Sequence, residues 1–90
     1  MAARPGFHMY KDRKDPDMRP LTSSELNALQ LAADGNTSAG IARIRGHNAA
    51  DNTHPAAIYV RRMWRMAAIK LGADNITHAV ALGLRRGIIK

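Results

Sequence analysis

Ninety residues, with fourteen Lys and Arg against seven Asp and Glu, carry a formal charge of +7 and no cysteine, which excludes a disulfide framework and a thiolate metal site and favours a polyanionic partner. Hydrophobic residues make up 46% of the chain and aromatic ones only 4%, an alanine-rich balance that suits closely packed helices, so one small all-α domain is expected. No apolar run approaches the roughly 20 residues of a membrane span and Met1 to Pro20 lacks the apolar stretch of a secretory signal, so the expectation is a cytoplasmic protein with no membrane partner.

Residues 1–20 hold three of the four prolines and mix Lys11, Arg13, Lys14 and Arg19 with Asp12, Asp15 and Asp17 without any period. This reads as a flexible N-terminal arm, basic enough to grip a nucleic-acid backbone. Phe7, Met9 and Tyr10 give it a second use, as cover for an apolar patch or as a short partner-binding motif.

Ordered structure is expected from Leu21. Thr22 followed by Glu25 has the capping-box spacing, directly ahead of the apolar positions Leu26, Leu29 and Ala33, and Asp34 with Gly35 closes this first helix. Thr37 or Ser38 caps a short second helix with Ile41, Ala42 and Ile44 facing inward before Gly46. Gly40 weakens that helix by about 1 kcal/mol relative to Ala, a cost that close approach of another helix would justify. Residues 46–54, GHNAADNTH, are turn formers without periodicity and read as a loop.

Pro55 suits the first position of a third helix running to about residue 71, capped by Thr53 or His54. Here Val60, Trp64, Ala67, Ala68 and Leu71 form one apolar stripe, with Trp64 a core residue. Arg61, Arg62 and Arg65 lie on the other side, and from Arg61 to Lys70 there are four basic residues and no acidic one. Such a helix fits a duplex, because the major groove admits one helix and an Arg fork can bond guanine O6 and N7 while its neighbours hold phosphates. A fourth helix, about 75–86 and capped by Asp74 or Asn75, turns Ile76, Ala79, Val80, Gly83 and Leu84 inward and leaves His78, Leu82 and Arg85 on the opposite face. After Gly87, Ile88 and Ile89 fit the apolar contact of a glycine cap.

Catalytic chemistry finds no support in these residues. His47, Asp51 and His54 have a metal-like look but no fourth ligand. Carboxylates are scattered at caps and turns, and no phosphate loop or nucleophile arrangement is present. No enzyme activity, metal or cofactor is expected.

Taken together, the segments resemble the LuxR-type (GerE-like) helix-turn-helix of bacterial transcription regulators. Leu21 to Glu25, LTSSE, resembles the family's LTxRE opening, and Asp34 to Ala42, DGNTSAGIA, its EGxSNKEIA. Lys70 to Ile89, KLGADNITHAVALGLRRGII, is similar in residues and spacing to KLGVxNRTEAVAxALRxGLI. The resemblance covers nearly all of 21–90 and implies a four-helix domain in which helices 2 and 3 form the helix-turn-helix, helix 3 enters the major groove and helix 4 pairs two subunits. It also places Val60 to Trp64, VRRMW, on the family's VKxHL, with Arg61, Arg62 and Arg65 at positions that typically meet DNA.

Three departures stand out. Gly40 replaces a glutamate, Asn36 an apolar residue, and the stretch between Ile41 and Val60 is about eight residues longer than the family pattern, where the turn is normally roughly 3–4 residues. The excess is expected to bulge outward as a passive insertion, or to let His47, Asn48, Asn52 or His54 add backbone contacts.

The functional expectation is a bacterial or phage-encoded, sequence-specific regulator that binds double-stranded DNA as a homodimer. Arg61, Arg62, Arg65, Ile58, Lys70, Thr37 and Ser38 are the candidate DNA-binding residues, and His78, Leu82 and Arg85 the candidate dimer seam. The alternative is an interaction module that pairs with a larger regulator or RNA polymerase without reading DNA. Single-stranded nucleic acid ranks lower, because Phe7, Tyr10 and Tyr59 are the only aromatic platforms left over.

Overall fold

The computed structural model describes residues 19–90, so the arm reading and its Phe7, Met9 and Tyr10 lie outside the described residues. The described chain forms four helices, α1 (Ser23–Ala33), α2 (Ser38–Ile44), α3 (Pro55–Leu71) and α4 (Ile76–Arg85). No strand occurs among the described residues, and no helix among them is long and apolar enough to cross a membrane.

Local chemistry explains where each helix starts. The Thr22 hydroxyl accepts the Glu25 amide at 3.1 Å while the Glu25 carboxylate accepts the Thr22 amide at 2.9 Å, a complete capping box. Thr37 caps α2 by accepting from the Gly40 amide, His54 caps α3 through Nδ1 with Pro55 at the first position, and Asn75 caps α4. Each helix is followed by a glycine at positive φ, of which Gly72 at 75° is typical. There the amide of Ala73 returns to the Ala68 carbonyl at 2.8 Å, closing the last turn of α3.

α3 packs against all three other helices, and so does α1. Ala39, Ile41 and Ala42 of α2 meet Ala57 and Val60 of α3 around Ala49, with Trp64 packed against them. Beyond Trp64, whose indole N–H donates to the Ala28 carbonyl at 3.0 Å, Leu29, Ala68, Leu71, Ala79 and Ile89 form a second cluster. Leu29, Ile41 and Val60 are the largest fully buried side chains, each worth about 1.5–3 kcal/mol of apolar burial. α3 is thereby braced along its whole back, which leaves one long face to solvent.

Several inward or outward assignments change. Ile44 is 59% exposed rather than buried. No helix approaches Gly40, where an added Cβ would meet the capping Thr37 Oγ1 at 3.2 Å and the Asn36 and Arg43 side chains. In α4 Ile76, Ala79, Val80 and Gly83 face inward as expected, but Leu84 is 48% exposed, whereas Leu82 packs against the second cluster. The cause is the C-terminal segment. Ile88 and Ile89 return their amides to the Gly83 carbonyl, and a Cβ on Gly83 would lie 3.0 Å from Ile89 Cγ1, so the tail covers the Leu82 side of α4.

Leu82 therefore leaves the candidate dimer seam. Replacing it by Ala should cost about 2 kcal/mol, or roughly 8–16 °C in melting temperature for a domain of this size, whereas Leu84→Ala should stay within about 0.5 kcal/mol. Thermal unfolding followed by circular dichroism separates the two, and equal melting points would return Leu82 to the surface.

Candidate nucleic-acid interface

The solvent face of α3 carries Ile58, Arg61, Arg62, Arg65 and Ile69, spaced as i, i+3, i+4, i+7 and i+11. All five are exposed, Ile58 at 42% and Ile69 at 46%. Ile58 and the three arginines line one shallow groove of about 200 Å³. α3 itself contains no carboxylate, so this face offers forked cations on a rigid, apolar-backed rod.

The three arginines are not equivalent. Arg62 and Arg65 have no hydrogen-bond or ion-pair partner among the described residues. Arg61 instead directs Nη1 to the Asn52 carbonyl at 2.6 Å and lies 3.4 Å from the Ser38 hydroxyl. Among the described residues, therefore, two guanidinium groups remain free for an anion, one turn apart on one helix face.

Lys70 is not a surface cation. Its ammonium lies 2.7 Å from Glu25 Oε1 and 3.2 Å from the Pro20 carbonyl, and both side chains of the pair are only 6% exposed. The helical period carries a hint of this, since Lys70 stands between Ala67 and Leu71 of the buried stripe. Burial by itself would raise the Glu25 carboxyl, but the Lys70 hydrogen bond, the Thr22 amide, the Lys70 charge and the Thr22 hydroxyl outweigh it and hold the pKa below its usual value.

Ser38 also leaves the candidate DNA-binding set as a free group. It is 3% exposed and donates to Asn52 Oδ1 at 2.8 Å. Thr37 is exposed, with its hydroxyl oxygen already accepting the Gly40 amide at 3.0 Å. In α4, Arg85 is exposed, while His78 is partly buried and accepts the Asp74 amide on Nδ1 at 3.1 Å.

The long connection between α2 and α3 does not bulge passively. Ala49 is fully buried among the residues of α2 and α3, and the Arg43 guanidinium donates to its carbonyl at 2.6 Å. Asp51 accepts from the Thr53 hydroxyl and amide, which in that order hold its carboxyl below the usual range. His54 Nδ1 accepts the Ala56 amide. Asp51 and His54 thus shape the turn, and among the described residues no three His, Cys, Asp or Glu side chains are grouped to hold a metal.

Comparison with protein-family profiles, with curated proteins and with solved structures finds no match for this chain.

Proposed function

We propose that this chain is a sequence-specific regulator of the LuxR type that binds double-stranded DNA as a homodimer and lays the exposed face of α3 in the major groove. The observation that supports this best is the pair Arg62 and Arg65, exposed and without a partner among the described residues, on a helix braced along its back. A free guanidinium presents a planar fork that matches guanine O6 and N7 or a phosphate. Ile58, on the same face, suits a thymine methyl. A 17-residue helix is about 25 Å long, enough to cross a groove roughly 12 Å wide with both arginines inside it. The proposed dimer seam is the outer face of α4, with Arg85 exposed on it and His78 at its edge.

Selection from a random duplex pool, followed by anisotropy titrations of the winner and a scrambled control at several salt concentrations, tests this reading. The expected result is a winner with paired half-sites that binds about 10³-fold or more tighter than the control. Equal binding to every duplex, vanishing with salt, would leave only counterion release and make the chain an interaction module for a larger regulator or RNA polymerase.

A further inference from the structure

Ten residues, 45–54, join α2 to α3, where a helix-turn-helix commonly uses roughly 3–4. A connection this long would ordinarily let the two helices shift against one another, but here one residue ties it to both. Asn52 Oδ1 accepts the Ser38 hydroxyl at 2.8 Å and the Ala39 amide at 2.9 Å. It therefore acts as a second cap on α2, beside Thr37, which serves the Gly40 amide. On its backbone side, the same Asn52 offers its carbonyl to Arg61 Nη1 at 2.6 Å, and Arg61 reaches within 3.4 Å of the Ser38 hydroxyl. The links run from α3, through Asn52, to the first turn of α2. Buried Ala49, with its carbonyl held by Arg43, anchors the middle of the turn.

We infer that Arg61 is a positioning residue, which locks the long turn and the start of α2 onto α3, and that contact with the duplex falls to Arg62 and Arg65. Helical side chains lean toward the N-terminus of their helix, and Arg61 follows that lean back to the turn nine residues earlier. Its Nη1 is held inside the fold, while the guanidinium groups at 62 and 65 are free among the described residues. The inference rests on the DNA-binding reading only for its second half. The lock itself is a property of the free protein.

Two measurements on the full chain separate these halves, using Arg61→Ala, Arg61→Lys and Arg62→Ala. In the absence of DNA, hydrogen exchange of the Ala39 amide, which Asn52 Oδ1 accepts, and of the Thr53 amide should speed up at least tenfold in Arg61→Ala and remain as in the parent in Arg62→Ala. Arg61→Lys should also lose protection, because its ammonium ends one bond short of the position that Nη1 holds against the Asn52 carbonyl. Unchanged exchange in Arg61→Ala would overturn the lock whether or not the protein binds DNA. On the selected duplex, Arg61→Ala and Arg61→Lys should both reduce the excess over the scrambled control ten- to a hundredfold, with the scrambled affinity and the salt slope as in the parent. Arg62→Ala should instead flatten the slope by about one unit if it holds a phosphate, or lose discrimination at one base position if it reads a base. A slope that flattens equally in Arg61→Ala and is restored by Arg61→Lys would make residue 61 a phosphate contact. If no duplex is preferred by the parent protein, the DNA-binding reading fails on its own and the exchange result still decides the lock.

Discussion

Replacing Lys70 by Met should destabilise the domain by about 3–5 kcal/mol, the usual cost of removing one partner of a buried ion pair. Small domains hold only about 5–15 kcal/mol in total, so the melting temperature should fall by well over 10 °C. The cost arises because the Glu25 carboxylate, with its side chain 6% exposed, would keep its bond from the Thr22 amide but lose the Lys70 ammonium that faces it at 2.7 Å. Neutralising both groups, in Glu25→Gln with Lys70→Met, should recover much of the loss, since the desolvation penalty then disappears from both sides. A single variant that melts with the parent protein would mean that the pair is not buried. The same experiment settles whether Lys70 meets DNA. At a temperature where the variant remains folded, its salt slope should equal that of the parent.

The pair also carries a pH signature with a defined sign. Glu25 has a lowered pKa in the folded chain, despite the opposing effect of burial, because Lys70 and Thr22 favour the carboxylate. The native state thus binds this proton less tightly than the unfolded state does. Its stabilisation is complete above the unfolded value of about 4.3 and is lost as pH falls through the native value. Between neutral pH and about 5 this group leaves the melting temperature unchanged, and below about 4.3 it contributes a steepening loss. Glu25→Gln should remove that part of the acid dependence.

Features that depend on neighbours in sequence were legible from the residues, and those that depend on distant partners were not. The Thr22 and Glu25 capping box, Pro55 at the start of α3 and the glycines after the helices are all decided within four residues. So is the division of α3 into an apolar stripe and an arginine face. Lys70 shows the limit, because its partner Glu25 lies 45 residues away and a charge count along the helix cannot see it. Leu82 and Leu84 show another. Periodicity places Leu84 inward and Leu82 outward, but the tail after Gly87 folds over one side of α4 and reverses the two. The turn was least legible. Its order comes from side chains bonding single backbone groups 6, 9 and 13 positions away, and these leave no periodic mark.

Losing Arg62 and Arg65 together should have the largest effect on binding and almost none on folding. Neither side chain has an intramolecular partner among the described residues, so the double variant Arg62→Ala with Arg65→Ala should melt within about 0.5 kcal/mol of the parent. On the selected duplex the two residues can act in two ways, and the salt dependence tells them apart. If both hold phosphates, affinity should fall for all sequences alike and the slope should flatten by about two units. If both read guanines, each should cost about 1–3 kcal/mol on the selected site only, or roughly 30- to 10⁴-fold for the pair. One of each gives a slope flattened by about one unit and relaxed discrimination at one base position. Ile58→Ala provides the uncharged control from the same groove: it should weaken the selected site modestly and leave the slope unchanged. Full retention of affinity, specificity and slope in the double variant would take α3 out of the interface altogether, because the remaining arginine on that face, Arg61, already directs its guanidinium to Asn52.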